Sequence, residues 1–353
     1  MRILHIDTGL MMRGGQAQLM MLMRGLRGSS HEQILACPPQ SQLFKVASDE
    51  GLATLAIGRA YWDACRVIRK IVPKYDIAAA HDSRAQTISY FATAGTRIVR
   101  VADRLVAFEP RNRFTHRLKY TRTCDLVIAS SQAAKDTMVR NGVPGDRVEV
   151  IRGGIEFPQE LPAHQEARAR MRAQWNLKDD DFVIGHLAAF TAEKGQEDAL
   201  EALKKLAPKH PNLRMILAGD GPLRSRLKAK APASAQLPGF IKPDADFYAG
   251  LDLFLANSTS EALGLAPLFA MAHEVPVIAS NVGGLPEVVG DGGLLVPPSD
   301  PVALADAIAI MIDEPERRQS TARRAREHAS KFSVDVTVQH TEAAYLRLLA
   351  PRV

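Results

Sequence analysis

The chain has 353 residues, 46% of them hydrophobic and 24% charged, the make-up of a globular protein long enough for two cores. Its three cysteines, Cys37, Cys65 and Cys124, are too few and too widely spaced for a metal knuckle or a disulfide framework. No apolar run reaches the length of a membrane span, and the opening MRILHID lacks a signal peptide's apolar core, so a cytoplasmic location is expected. The net charge of +6 is uneven: residues 1–155 carry an excess of +10 and the rest −4. Either composition drifts, or the first half faces something anionic. No aromatic-rich basic face accompanies the charge, so no nucleic-acid partner is expected.

In chain order, RILHIDTG reads as a strand and AQLMMLMRGLRG as a helix. EQILACP continues the strand rhythm, YDIAAAHD, TRIVRVAD and CDLVIASS follow it, each leading into helical or irregular sequence, and VEVIRGGI closes this half. The stretch PQELPAHQEARARMRAQWNLKDDD breaks it with prolines and a charged helix. The rhythm then restarts in DFVIGHLAAF, NLRMILAGDG, AQLPGF, LDLFLANS, VPVIAS and GGLLVPP. Strands alternating with helices predict parallel sheets covered on both faces. The expected organisation is an α/β domain over 1–156, a second over 157–332, and a helix over 333–353 that either ends the chain or packs back on the first domain. Ligands of such sheets bind beyond the carboxyl ends of the strands, which predicts a cleft between two facing domains.

Several strand-end loops carry candidate chemistry. TGLMMRGGQAQ puts Gly14 and Gly15 where a strand turns into a helix, either a plain turn or a place where backbone N–H groups approach a phosphate. AAAHDSRA places His81 directly after a strand, as a structural histidine or a group facing a ligand. In FTAEKGQEDALEAL, Lys194 stands at a helix start, where a cation is unfavourable unless an anion shares the site; a solvated surface lysine is the alternative. NSTSEALGL and SNVGGLPEVVGDGG add two more glycine-containing loops, the first with a single carboxylate, Glu261. A nucleotide with two phosphates fits such a set. KDDDF is better explained as a polar turn than as a metal signature, and AGDGPLR lacks the third glycine of a dinucleotide fingerprint.

Together these strings resemble the retaining glycosyltransferases of family 4, which have two Rossmann-like doubly wound domains in the GT-B arrangement. AMAHEVPVIASNVGGLPEVVGDGGLLVPPSDPVALADAI carries the most specific part of the likeness. The resemblance implies that the second domain binds a nucleotide-diphosphate sugar and the first a glycan or lipid-linked acceptor of cell-envelope or lipopolysaccharide type. It assigns Lys194 to the diphosphate, Glu261 to the donor sugar's hydroxyls, and His81 to the sugar's reacting face. Gly14 and Gly15 would reach the diphosphate or acceptor through their amides. The amides of Leu263, Gly264, Leu265 and Ala266 would cradle the sugar and diphosphate, and backbone near Phe240 and Ile241 would meet the base. Neither a metal nor a cofactor is expected.

Two positions depart from the family pattern. Ala189 stands where an arginine usually precedes the lysine, and Phe269 where a second acid usually holds the ribose hydroxyls. They favour, as the alternative to an active transferase, a degenerate family member serving as a binding or partner subunit; a nucleotide-sugar epimerase using the same architecture is a further alternative. The segment RLVAFEPRNRFTHRLKYTR, Arg104 to Arg122, interleaves basic residues with Phe108, Phe114, Leu118 and Tyr120. It predicts peripheral contact with an anionic membrane surface, or a solvated and partly packed helix.

Overall fold

A computed structural model describes residues 1–104 and 112–350. The chain divides into two compact units: Met1–Glu156 together with the residues from Ser333 onward, and Phe157–Phe332. In the first unit the strands are β1 (Arg2–Ile6), β2 (Glu32–Cys37), β3 (Thr54–Ala56), β4 (Ile77–Ala80), β5 (Val99–Arg104), β6 (Leu126–Ala129) and β7 (Val148–Val150). They form one sheet in the order β3-β2-β1-β4-β5-β6-β7, and every pairing is parallel.

Alternation along the strands gives this sheet two buried faces. Leu4, Ile6, Ala78 and Ala80 face the helices Tyr61–Ile71 and Ser83–Ala92 through Ala64, Ile68, Ala85 and Ile88. Ile3, Ile77, Ala79 and Val101 face the other side, against Leu22 and Leu26 of the helix Gly14–Leu26 and Val338, Ala344 and Tyr345 of the helix Val334–Leu349. In that last helix Val338, Thr341 and Tyr345 recur on one face and are all buried. It belongs to the first unit, where Ser333 bridges Ile155 in parallel and Gln18 holds both the N–H and the carbonyl of Gly154.

The second unit repeats the plan with β8 (Phe182–Leu187), β9 (Leu213–Ala218), β10 (Ala235–Gly239), β11 (Leu253–Ala256), β12 (Val277–Ser280) and β13 (Gly293–Val296). Their order is β10-β9-β8-β11-β12-β13, again all parallel. In each sheet the winding direction reverses once, beside the first strand: between β1 and β4, and between β8 and β11. Those two reversals fix where each unit offers a ligand its crevice. Among the described residues, no helix is long and apolar enough to cross a membrane.

Candidate functional site

In the second unit the two loops at the reversal point carry the two charged residues singled out by the sequence. β8 runs into the short 3-10 turn Ala192–Lys194, then Gly195, then the helix Gln196–Leu206. β11 runs into the loop 257–264 and the helix Leu265–Ala272. Because β8 and β11 are neighbours, their loops leave the same edge side by side. Lys194 Nζ meets Glu261 Oε2 at 2.6 Å, with 21% and 22% of the two side chains exposed. The anion that makes a cation tolerable at this helix start is thus Glu261 itself.

Close backbone approaches hold the loops around this pair. Gly195 is left-handed, with φ +69°, and a Cβ there would lie 2.1 Å from the Asn257 carbonyl oxygen. Gly283, at φ +55°, would place a Cβ 1.8 Å from the Glu261 carbonyl oxygen, to which the Gly284 N–H donates at 3.1 Å. The helix Leu265–Ala272 has no acidic residue in its first turn. Its leading N–H groups and dipole therefore favour an anion. Leu263 and Gly264 are buried, and Leu265 and Ala266 are half-buried. Phe269 lies one turn further along and is half-buried. Ala189 is exposed. Beyond β10, Phe240 is exposed and Ile241 half-buried, on the same carboxyl-end side of the sheet.

His186, on β8 directly beneath the Lys194 turn, gave no sequence signal of its own within the apolar run FVIGHLAAF. Its Nε2 meets the Lys194 carbonyl oxygen at 3.1 Å. Burial disfavours its charged form and pulls its pKa to about 4, although the bond to the Lys194 carbonyl acts the other way. The ring is therefore neutral, and its Nε2–H donates. A folded pKa below the unfolded value of about 6.5 gives stability that is complete above pH 6.5 and lost as pH falls toward 4. At 1.36 kcal/mol per pKa unit the loss is roughly 3 kcal/mol. His186→Gln, which cannot titrate, should flatten the acid limb of a melting-temperature profile between pH 6.5 and 4. Parallel profiles for the two proteins would show that His186 is not the titrating group.

In the first unit, His81 follows β4 and is turned inward. Only 1% of its side chain is exposed. Nδ1 meets Asp103 Oδ2 at 2.5 Å and Nε2 meets His5 Nδ1 at 3.0 Å, while His5 Nε2 meets Gln33 Oε1 at 3.3 Å. Burial disfavours the imidazolium of His81, yet the charge and hydrogen bond of Asp103, helped by Asp7 and Asp82, raise its pKa overall. Burial, then the charge of His81, push His5 down. Asp103 favours the proton on His81 Nδ1, which donates to it, and a single proton lies between His81 Nε2 and His5 Nδ1. The sequence expectation sets His81 against a sugar. In this unit its two ring nitrogens meet Asp103 and His5.

Gly14 and Gly15 open the helix Gly14–Leu26, which has no acidic residue in its first turn. Of the basic segment Arg104 to Arg122, residues 105–111, Phe108 among them, lie outside the described residues. The remainder forms the helix Arg113–Arg122, with Phe114 and Leu118 exposed one turn apart. Tyr120 corrects the expectation of an outward ring: it is 3% exposed and lies beneath the Arg104 guanidinium. Lys119 reaches back to the carbonyl and hydroxyl of Ser83.

Two family models match this chain in succession. Residues 12–157 match "Glycosyltransferase Family 4", and residues 167–328 match "Glycosyl transferases group 1". EpsD of Bacillus subtilis is 30% identical over 210 residues, which are 57% of this chain and 55% of that protein. A D-inositol 3-phosphate glycosyltransferase of Corynebacterium kroppenstedtii is 27% identical over 255 residues, 67% of this chain and 56% of its own. The chain thus spans little more than half the length of these curated relatives. Among solved structures, HepE of Anabaena in complex with UDP-glucose superposes with a TM-score of 0.89 at 21% identity, covering 98% of this chain and 99% of that one. That likeness establishes the GT-B fold, two Rossmann-like domains.

Proposed function

The chain belongs to glycosyltransferase family 4, and we propose that it transfers a sugar with retention from a nucleotide diphosphate to a glycan or lipid-linked acceptor of the cell envelope. The observation that carries this reading is the Lys194–Glu261 pair at the reversal point of the second sheet, beside the helix start at Leu265. The donor exchanges partners with the pair. Its diphosphate takes the ammonium and the amides around Leu263, Gly264, Leu265 and Ala266, and its sugar hydroxyls take the carboxylate of Glu261. Fixed cations and helix N-termini then stabilise the departing diphosphate without a metal. The acceptor hydroxyl attacks from the side the leaving group departs, and a leaving phosphate oxygen takes its proton, so no enzyme nucleophile is used. Backbone beside Ile241 meets the base.

The first unit takes the acceptor. The excess of +10 over residues 1–155 suits an anionic one, and the D-inositol 3-phosphate glycosyltransferases among the relatives carry an anionic compound in their name. His81, its ring held by Asp103 and His5, stands at the sugar's reacting face, as the family resemblance implies. A uridine donor is the first to try, because HepE was captured with UDP-glucose. The second reading, a partner subunit without transfer activity, is favoured by Ala189 and Phe269 at the two departures from the family pattern.

A thermal-shift screen of UDP, GDP, ADP and their sugars separates the two. A ligand at one hundred times its Kd stabilises the folded chain by about 2.7 kcal/mol. One nucleotide series should raise the melting temperature by several degrees; a flat response to all three leaves the partner-subunit reading. The helix Arg113–Arg122 sets Phe114 and Leu118 outward beside Arg113 and Arg117, an arrangement that suits an anionic bilayer. Sedimentation with anionic vesicles should exceed that with neutral ones at least tenfold at low salt and fall as salt rises. Equal binding to both would remove the electrostatic contact.

A further inference from the structure

A lysine side chain is long and flexible, so the place of its ammonium depends on how firmly the backbone beneath it is held. The turn that carries Lys194 is gripped from outside at three successive carbonyls. The Thr259 N–H donates to the Glu193 carbonyl at 2.8 Å. His186 Nε2–H donates to the Lys194 carbonyl at 3.1 Å. Asn257 Nδ2 donates to the Gly195 carbonyl at 2.6 Å. On the near side, Gln196 Nε2 closes the approach to the turn by donating to the Ala189 carbonyl at 2.8 Å. His186, Asn257 and Gln196 are 2%, 3% and 1% exposed. Burial strips these polar side chains of water, and each recovers a partner at a backbone carbonyl of this segment.

Two of the three donors, Thr259 and Asn257, come from the loop that carries Glu261, and the third, His186, from β8, the strand that leads into the lysine turn. The lacing therefore ties the lysine turn to the carboxylate loop and sets the distance between Nζ and Oε2. The left-handed Gly195 lets the two backbones come close enough for it.

We propose that His186 and Asn257 are positioning residues that hold the Lys194 turn in register with Glu261, so that ammonium and carboxylate meet a sugar diphosphate at a fixed spacing. Neither touches substrate; each acts through a carbonyl of the lysine turn. The functional meaning of this inference rests on the donor-site reading above, but the lacing itself does not.

The test has one measurement without ligand and one with it. Amine labelling read by mass spectrometry compares Lys194 with the exposed Lys204 and Lys205 as internal standards. Paired with Glu261, Lys194 should react several-fold more slowly than the standards. In Asn257→Asp, isosteric but without the amide donor, and in His186→Leu, the ratio should rise at least threefold. In His186→Gln, which can donate from a similar position, it should return to the wild-type value. Circular dichroism establishes which variants are folded, and Asn257→Asp carries the comparison should His186→Leu not fold. An unchanged ratio in the folded variants overturns the proposal.

Calorimetry with UDP, GDP and ADP, each beside its nucleoside, supplies the second readout. The same variants should weaken the bound diphosphate at least tenfold and leave the nucleoside unaffected. Should labelling respond while no nucleoside diphosphate binds the wild type, the lacing stands and the donor-site reading falls. Should a diphosphate bind wild type and folded variants alike, with labelling unmoved, the lacing falls and the donor site stands.

Discussion

Lys194→Ala is expected to cut sugar transfer by two to three orders of magnitude while leaving the fold in place. The side chain is partly exposed on a short turn and fills no core, so little packing is lost. Its charge is another matter. Ala189 stands exposed where a second phosphate cation would be expected from the family pattern, so on the proposed reading the departing diphosphate would rely on Lys194 and the amides at Leu265. Removing one preorganised donor from such a site costs about 2.7–4 kcal/mol in the transition state. The variant also leaves Glu261 without the cation it meets at 2.6 Å, which frees the carboxylate for sugar hydroxyls and preserves part of the ground-state affinity. The loss should therefore appear more in kcat than in KM. Steady-state kinetics with the donor found by thermal shift checks it. A decrease under about threefold, well short of the 1.36 kcal/mol of a tenfold change, would remove Lys194 from the phosphate.

The strands of both sheets were legible because buried parallel strands are short continuous apolar runs between turn residues. RILHI, IAAA and LVIA in the first unit, and all six runs read in the second, became strands. β3, TLA, was not legible: three half-exposed or exposed residues at a sheet edge leave no pattern to read. The basic segment's sequence shows that aromatics are interleaved but not which way they face, and only the fold shows that Tyr120 points inward under Arg104 while Phe114 points out.

The partners of the candidate side chains lie on other strands, far along the chain. His81 and Asp103 come together because β4 pairs with β5 so that Ala80 lies opposite Ala102, and the next residue on each strand is the partner. Lys194 finds Glu261, 67 residues on, because β8 and β11 are neighbours. A local reading supplies a charge at a helix start and infers an anion. It does not reveal that the chain supplies the anion itself. His186 and Asn257 were missed for the same reason: a histidine within an apolar strand and an asparagine at a strand end look like fillers until the carbonyls above them are placed.

Phe269→Glu is expected to tighten nucleotide binding by roughly tenfold to a hundredfold, leaving Glu261 untouched. In the family pattern an acid at this position accepts hydrogen bonds from two ribose hydroxyls, and a hydrogen bond to a charged group contributes about 1.5–3 kcal/mol net. At 1.4 kcal/mol per decade, one to two decades of affinity follow. The helix Leu265–Ala272 can accept the change. Phe269 is half-buried, so a carboxylate there keeps access to water and avoids the penalty of a sealed charge. Its backbone carbonyl already accepts from His273 Nδ1 at 2.7 Å, an anchor that does not involve the side chain being replaced. On the proposed reading the two positions would serve different ends of the donor. Glu261, paired with Lys194, would address the sugar and its diphosphate, where a misplacement costs rate. Position 269 would address the ribose, where a deficit costs affinity that other contacts can restore. A site can therefore keep the first acid and lose the second without losing its chemistry. The variant should bind the nucleotide diphosphate more tightly in calorimetry with kcat little changed. Equal or weaker binding would mean that the Phe269 ring is packing in a remodelled pocket, and the partner-subunit reading would then account for the missing acid better than an active transferase does.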